Sequence, residues 1–380
     1  MSAECLVSIA EIEGRGRSVV ASQALKAGQV LLTDSPILLY SPLPFINPQS
    51  HQHRSYCNHC SKTLLQSPFS PCPSCSLLFC NATCLSRASS SSHSPYVCQA
   101  LSRLQNSSLL LLERHLQARF LIAAFNLSIV SPPRFQTLLS LQGTVTDHDA
   151  SDAHFLHSLI STICPPPSIP SIELTAALLA KDRLNAFGLM EPFNQHLQRS
   201  VRAYGIYPKA SFFNHDCLPN ACRFDYVDTA RHNNTDIIVR ILHDVPQGRE
   251  ICLSYFPVNL DYSTRQKRLL EDYGFACDCD RCKVEANWSD NDNDKDGVDN
   301  NEEEEDEVMD EDEDEDEQMV ASGGAENEDT DFPHAYFFVT YMCNVNNCGG
   351  TLAPLPPSPV SPSNVMECNV CSNLKNKDAV

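Results

Sequence analysis

Long apolar segments are missing from this 380-residue sequence, and so is an N-terminal stretch with the charged and apolar regions of a secretion signal. No apolar run approaches the roughly 18 residues that a membrane-spanning helix needs. We therefore expect no membrane association and a reduced compartment. No cluster of lysine and arginine marks nuclear import, so the sequence predicts the nucleus and/or the cytoplasm without choosing between them.

Basic charge is also scarce overall, but one segment accounts for the imbalance. The chain has 48 acidic and 27 basic residues, and its formal net charge is −21. Residues 289–331 hold 23 of the acids and one of the bases, which leaves 25 acids against 26 bases elsewhere. Residues 288–331 are therefore predicted to be a disordered acidic linker. Because no basic stripe appears in the remainder, direct nucleic-acid binding is not expected.

Nineteen cysteines in a chain expected to stay reduced are better explained as metal ligands than as disulfides, wherever short spacings recur. Eight ligand-type side chains fall between positions 51 and 100, enough for two tetrahedral Zn²⁺ sites. They are Cys57, Cys60, Cys72, Cys75, Cys80, Cys84, His93 and Cys98. Buried free cysteines, the alternative, do not explain three spaced pairs within 28 residues.

Two more cysteine groups lie in the second half of the chain. Cys277, Cys279 and Cys282 are three ligands that need a fourth from elsewhere, since no cysteine or histidine follows within 50 residues. A fourth zinc site, of the ribbon type, is predicted within 332–380 from Cys343, Cys348, Cys368 and Cys371. The four cysteines left over are interpreted as core residues: Cys5, Cys164, Cys222 and Cys252.

Strands, then helices, then strands again are predicted along the chain, which indicates an α+β fold. Residues 5–45 predict four short strands in a small meander, with a Gly-x-Gly turn at Gly14-Arg15-Gly16. Apolar residues at helical spacing predict helices at 109–127, 134–141, 153–163 and 172–184. Strands return between 203 and 256, and a helix at 261–273 ends at Gly274. Residues 332–341 are predicted to form a strand.

The stretch 211–220 combines an Asn-His pair, a candidate metal ligand and a Pro-Asn turn within ten residues. On its own it could be a loop whose polar side chains satisfy the backbone. Together with Gly14-Arg15-Gly16, with 250–255 and with Cys277-Asp278-Cys279-x2-Cys282, it resembles SET-domain lysine methyltransferases. The cysteines at 57–98 resemble a MYND zinc finger, and a SET domain split by such a finger is similar to the SMYD group and its plant relatives.

The resemblance implies a SET fold of short sheets closed by a pseudoknot, with a post-SET zinc site that Cys217 completes. It divides the chain into N-terminal SET (1–50), MYND finger (51–100), helical insertion (101–190), SET core (191–257), post-SET motif (258–287), linker (288–331) and ribbon (332–380). Tyr255 would be catalytic. S-adenosylmethionine would contact the following residues: Arg15, Gly16, Arg17, Asn185, Asn214, His215, Tyr255, Tyr273 and Phe275.

The sequence is compatible with two functions. The first is an S-adenosylmethionine-dependent protein-lysine N-methyltransferase, a chromatin regulator if its substrate is a histone tail, with peptide partners for the MYND finger. The second is a zinc-dependent interaction scaffold or transcriptional regulator with a weak or inactive SET core. Four features favour the enzyme, because a scaffold has no need of a tyrosine at that position: Asn214, His215, Tyr255 and the complete set of Cys217, Cys277, Cys279 and Cys282. Two features depart from the family: Asp216 replaces the common serine, and no long helical repeat follows position 283.

Overall fold

The structure is a computed structural model, and it describes eight stretches of the chain. They are residues 6–41, 55–64, 69–105, 110–164, 170–194, 200–286, 334–357 and 363–377. The acidic linker predicted at 288–331 lies outside the described residues, as do Cys5 and part of 1–50.

Four strands form within the first 41 residues: β1 (Val7–Ile12), β2 (Gly16–Ala21), β3 (Val30–Asp34) and β4 (Leu38–Tyr40). β1 and β2 pair antiparallel across a turn in which Gly14 and Gly16 adopt φ of +74° and +68°. The predicted meander is wrong beyond this pair. β3 and β4 instead find their partners in the second half of the chain, because they complete sheets whose other strands follow the helices.

The cysteine-rich module and the helical insertion fill the space between the two sets of strands. The module contains β5 (Ser70–Pro71), β6 (Leu78–Phe79), α1 (Ala82–Ser89) and α2 (Pro95–Gln105). The four helices predicted in the insertion are confirmed with shifted ends: α3 (Leu112–Val130), α4 (Pro132–Ser140), α5 (Asp147–Ile163) and α6 (Ile172–Asn185). One apolar cluster, with Phe79, Phe120 and Leu156 fully buried, joins module and insertion.

Residues 186–253, which follow the insertion, contribute six strands: β7 (Ala186–Met190), β8 (Val201–Ile206), β9 (Asn214–His215), β10 (Ala221–Asp225), β11 (Ile237–Ile241) and β12 (Cys252–Leu253). β8 pairs between β4 and β7, and β11 pairs between β3 and β10. A turn of 3-10 helix (Ala210–Phe212) leads into β9, which pairs in parallel with β12. Parallel neighbours cannot be joined by a tight turn, so β9 and β12 bring two distant segments side by side.

After β12 the chain forms α7 (Tyr262–Arg268) and a π-helical turn (Leu269–Tyr273) that ends at Gly274 with φ of +78°. This confirms the helix predicted at 261–273, whose N-terminus is capped by Asp261. α8 (Asp280–Glu285) follows. The C-terminal module is formed by α9 (Ala335–Tyr341), β13 (Leu352–Pro354), β14 (Val365–Cys368) and β15 (Leu374–Asn376).

The strand predicted at 332–341 is wrong, because the described part of that range is the helix α9. Phe337 and Tyr341, four residues apart, pack into one apolar cluster, while Tyr336 and Val339 are exposed. Residue spacing of this kind belongs to a helix, and it overrides the aromatic residue types that favour strands.

Three apolar clusters hold these elements together, and the predicted α+β class is confirmed. The central cluster contains Val19, Tyr207, Val239 and Ile251 from the strand-rich halves. The third cluster packs the C-terminal module against Phe224 and the neighbouring residues of β10 and β11. None of the helices in the described stretches combines the length and the apolar character that crossing a bilayer requires.

Candidate functional site

All sixteen predicted metal ligands gather into four groups of four, in which the ligand atoms lie within 4.8 Å of one another. The groups are Cys57, Cys60, Cys80 and Cys84; Cys72, Cys75, His93 and Cys98; Cys217, Cys277, Cys279 and Cys282; and Cys343, Cys348, Cys368 and Cys371. Tetrahedral coordination with Zn–S bonds near 2.3 Å places sulfurs about 3.8 Å apart. The sulfur pairs Cys60–Cys80, Cys72–Cys98 and Cys343–Cys371 are 3.8, 3.6 and 3.7 Å apart, so these three groups suit Zn²⁺.

The two groups of the N-terminal cysteine module interleave along the chain. Cys57 and Cys60 join Cys80 and Cys84, while the pair Cys72 and Cys75 lies between them in sequence and belongs to the other site. Spacing predicted eight ligands and two sites but left their division open, since the division depends on how the loops cross. With few elements of its own, the module depends on both ions for its fold.

Cys217 lies with the three cysteines near position 280, as the resemblance implies. Its Sγ is 3.5 Å from Cys282 Sγ and 4.0 Å from Cys277 Sγ. Arg265, whose side chain is fully buried, donates from Nε to Cys217 Sγ at 3.2 Å and forms an ion pair with Glu285 at 2.6 Å. Donors of this kind stabilise thiolate ligands, and a Zn²⁺ with four thiolates carries two negative charges for a cation to offset.

The parallel pair of β9 and β12 brings the Asn-His segment and Tyr255 together. His215 is 2% exposed, and its Nδ1 accepts the backbone N–H of Tyr255 at 3.1 Å. Burial lowers the pKa of His215 to about 3, so the ring is neutral at physiological pH. With Nδ1 accepting, the proton is on Nε2, which faces Cys217 Sγ at 3.3 Å. The imidazole thus joins the metal site to the Tyr255 backbone and is not poised as a base.

Tyr255 lies in a group of rings with Tyr273, Phe275 and His215. Its ring centroid is 4.7 Å from that of Tyr273 and 5.2 Å from that of His215, and Tyr273 lies 6.5 Å from Phe275. The Tyr255 hydroxyl donates to the carbonyl oxygen of Phe213 at 3.0 Å. Burial raises the pKa of this phenol above its ordinary value, so the hydroxyl stays protonated. The group forms an aromatic wall with one oriented hydroxyl.

The turn between β1 and β2 lies against the same segment. Arg15 donates from Nη2 to the carbonyl oxygen of His215 at 2.9 Å, and the Asn214 amide nitrogen lies 3.2 Å from the carbonyl oxygen of Arg15. A Cβ at Gly14 would meet open space and one at Gly16 would meet only Glu11 Oε1 at 4.0 Å, so a ligand can approach the backbone closely. Arg17 points elsewhere: it donates to Ser140 at 3.1 Å and lies over the ring of Phe212.

Asn185 ends α6, and its side chain is committed mainly to the protein. Its Nδ2 donates to the carbonyl oxygens of Gln142 at 2.7 Å and Lys181 at 2.8 Å. No hydrogen bond joins it to Asn214 or His215 among the described contacts. Its Oδ1 is the atom left for a ligand.

Three residues of the site escaped the sequence interpretation: Ser18, Glu250 and Arg265. Ser18 and Glu250 contact the Asn214 amide at 2.8 and 2.9 Å, and Arg265 contacts the metal group. A cation and a carboxylate are ordinary residue types, and nothing in their local spacing marks them. Glu250 comes close to Asn214 only because residues 249–251 pair with β2.

A family described as the SET domain matches residues 16–256 of this chain. The histone-lysine N-methyltransferase ASHR2 of Arabidopsis thaliana is 55% identical, over 98% of this chain and 96% of its own length. The histone-lysine N-methyltransferase SMYD3 of Homo sapiens is 29% identical, over 35% of this chain and 27% of its own length.

Among solved structures, the SET domain of LSMT bound to lysine and AdoHcy is similar to this chain at a TM-score of 0.33 and 14% identity. The similarity covers 73% of this chain and 54% of the LSMT chain.

Proposed function

The chain belongs to the SET domain family, and we propose that it is a protein-lysine N-methyltransferase that uses S-adenosylmethionine and acts on histones or other proteins. The observation that carries this proposal is the parallel pairing of β9 with β12. The pairing places Asn214 and His215 beside the aromatic wall of Tyr255 and Tyr273. ASHR2, which matches almost the whole chain, is named a histone-lysine N-methyltransferase.

The residues present fit S-adenosylmethionine, which would supply a methyl group on a sulfonium. The backbone of the turn at Gly16 and the Asn214 amide offer polar contacts at one end. We assign His215 to the same end through its backbone, because both of its ring nitrogens already have partners. Tyr273 and Phe275 offer ring faces at the other. We assign Arg15, Arg17 and Asn185 to the same site through backbone or carbonyl atoms, since their side-chain donors contact the protein.

Tyr255 is proposed to orient the incoming lysine amine. The amine must lose its proton before it can attack, although the free pKa of lysine is near 10.4. A dry aromatic wall disfavours the ammonium by desolvation. The Tyr255 hydroxyl, protonated and aligned on the Phe213 carbonyl, leaves its lone pairs to accept an N–H from the amine. Positioning of this kind supplies most of the acceleration in an in-line transfer, and no covalent intermediate with the protein is needed.

We further infer that the four Cys and Cys/His groups bind Zn²⁺ and delimit a MYND finger, a post-SET site and a C-terminal ribbon. The finger is proposed to bind peptide partners, and no nucleic-acid partner is proposed. Location in the nucleus and/or the cytoplasm agrees with a protein substrate of this kind.

The test is methyl transfer from labelled S-adenosylmethionine to core histones and to a cell extract. Tyr255→Phe is expected to lower kcat at least 100-fold, because the amine loses its acceptor, while the zinc content stays unchanged. Tyr207→Phe is a matched control. Tyr207 is also a buried tyrosine whose hydroxyl donates to a backbone carbonyl, that of Thr235 at 2.6 Å, but it lies outside the ring group of Tyr255.

Activity within a fewfold of wild type in Tyr255→Phe would refute the role of this hydroxyl. A zinc-loaded wild-type protein that binds no S-adenosylmethionine would refute the enzyme itself and favour the scaffold.

A further inference from the structure

Glu250 is a carboxylate inside the proposed cofactor site that the methyl transfer does not yet use. It lies between Arg249 and Ile251, whose backbones bond to Ala21 and Val19 of β2. The antiparallel pairing directs its side chain toward the turn at Gly16 and toward Asn214. This side chain is 14% exposed, and each of its two oxygens has a different partner.

One oxygen fixes the orientation of the Asn214 amide. Asn214 Nδ2 lies 2.9 Å from Glu250 Oε1, 2.8 Å from Ser18 Oγ and 3.2 Å from the carbonyl oxygen of Arg15. A carboxylate and a carbonyl can only accept hydrogen bonds, so the amide must present its NH₂ group to them. Asn214 Oδ1 is thereby turned away from these three atoms and left as an acceptor for a ligand.

The other oxygen holds the guanidinium of Arg15. Glu250 Oε2 lies 2.7 Å from Arg15 Nε, and Arg15 Nη2 reaches the carbonyl oxygen of His215 and the sulfur of Cys252. Arg15 is 30% exposed, so this cation would be free to move if the carboxylate were lost. A mobile cation beside a sulfonium would repel it.

We propose that Glu250 is a positioning residue for the cofactor: it presents Asn214 Oδ1 to the amine of the S-adenosylmethionine amino-acid end and holds Arg15 aside. The role depends on the proposed use of this cofactor. An acceptor oxygen next to a carboxylate suits an ammonium better than any other donor of the cofactor. Ser18 supports the same orientation through its hydroxyl.

The experiment measures dissociation constants by calorimetry for S-adenosylmethionine, its product S-adenosylhomocysteine, and methylthioadenosine, which lacks the amino-acid end. Glu250→Gln is expected to weaken the first two at least tenfold, because its amide has one acceptor oxygen and its NH₂ group cannot accept from the second donor. Methylthioadenosine should lose less than threefold. This difference between ligands separates positioning from a general loss of structure.

Glu367→Gln is the matched control, since Glu367 is a largely buried carboxylate paired with Arg240 at 2.8 Å away from the cofactor turn. It should leave all three constants within twofold of wild type. Glu250→Asp keeps the charge and guards against misfolding; it is expected to fall between wild type and Glu250→Gln.

The outcomes distinguish two failures. Wild-type protein that binds neither cofactor nor product overturns the proposed function. Wild-type binding with Glu250→Gln unchanged, or with all three ligands weakened equally, overturns the role of Glu250 and leaves the proposed function standing.

Discussion

Asp182, on the insertion helix α6, is a carboxyl group whose protonation is coupled to folding. The Tyr40 hydroxyl of β4 donates to its Oδ1 at 2.5 Å, and Tyr204 of β8 stacks on Tyr40. Burial raises the pKa of Asp182 to about 7. The pKa values of Tyr40 and Tyr204 are raised as well, so both phenols stay neutral across the physiological range.

The contribution of Asp182 to the stability of the protein should therefore fall as pH rises toward 7. Between the ordinary pKa of aspartate and about 7, the unfolded chain releases the Asp182 proton while the folded chain keeps it. The Asp182 contribution to the free energy of unfolding then decreases by up to about 1.4 kcal/mol per pH unit, and it levels off above pH 7. The side chain of Asp182→Asn cannot titrate. The free energy of unfolding of the wild type minus that of this variant, measured in urea, should therefore fall from pH 5.5 to 7 and then stay constant.

Because both proteins carry the same metal groups, the pH dependence of zinc binding cancels in that difference. A difference that does not change with pH would show that Asp182 is ionised in the folded state.

Site residues that lie close together in the sequence could be predicted. Site residues whose contacts depend on strand pairing could not. Metal ligands such as Cys277 and Cys279 can be recognised by their short spacing, because neighbouring residues of one loop bind the same ion. Cys217 was placed by the missing fourth ligand together with the family resemblance. Glu250 and Ser18 could not be found in this way, because their meaning depends on which strand pairs with β2.

At the scale of elements, helices were predicted better than strand partners. The helix ending at Gly274 carries its own signals, an Asp261 cap and a left-handed glycine. β3 has no local signal that its partner is β11, because a strand pairs through its backbone and the sequence between them is long. The helix α9 was wrongly predicted as a strand, because its aromatic residues are a local signal that usually favours strands.

The C-terminal module is an element whose packing predicts a cost for losing its metal group. Glu367 of β14 pairs with Arg240 of β11, which is 3% exposed and also contacts the Tyr226 hydroxyl at 2.9 Å. Cys368, next to Glu367, belongs to the fourth metal group. Without the ion, β14 would release the carboxylate and leave Arg240 buried without its partner.

Cys368→Ser is therefore expected to lose one of four zinc ions per chain and about 3 kcal/mol of stability, the usual cost of an uncompensated buried charge. Elemental analysis and thermal unfolding measure the two effects. Cys222→Ser is the control, since Cys222 lies in the same apolar cluster and outside the four metal groups. Four ions and a loss of about 1 kcal/mol are expected for it. Equal zinc content in the two variants would exclude a metal at the fourth group.

For the whole molecule, the third metal group connects folding of the post-SET region to the proposed cofactor site. Cys217 lies three residues after Asn214. His215, which follows Asn214 directly, accepts a hydrogen bond from the backbone N–H of Tyr255. The other three ligands are about 60 residues further along the chain. One ion there would stabilise the parallel pairing of β9 with β12 and thereby the positions of Asn214, His215 and Tyr255.

Loss of this ion should weaken cofactor binding, although none of the four cysteines is assigned to the proposed cofactor site. Cys282→Ser is expected to weaken the binding of S-adenosylmethionine at least tenfold in calorimetry. Without the ion, the Cys217 segment is no longer connected to the cysteines at 277–282. Cys368→Ser removes a ligand from the four-cysteine group on the C-terminal module and should bind within threefold of wild type. Brief chelation of wild-type protein should abolish binding, and added Zn²⁺ should restore it. If Cys282→Ser binds as tightly as Cys368→Ser, the strand crossing is stable without metal, and the site depends on backbone pairing between β9 and β12 alone.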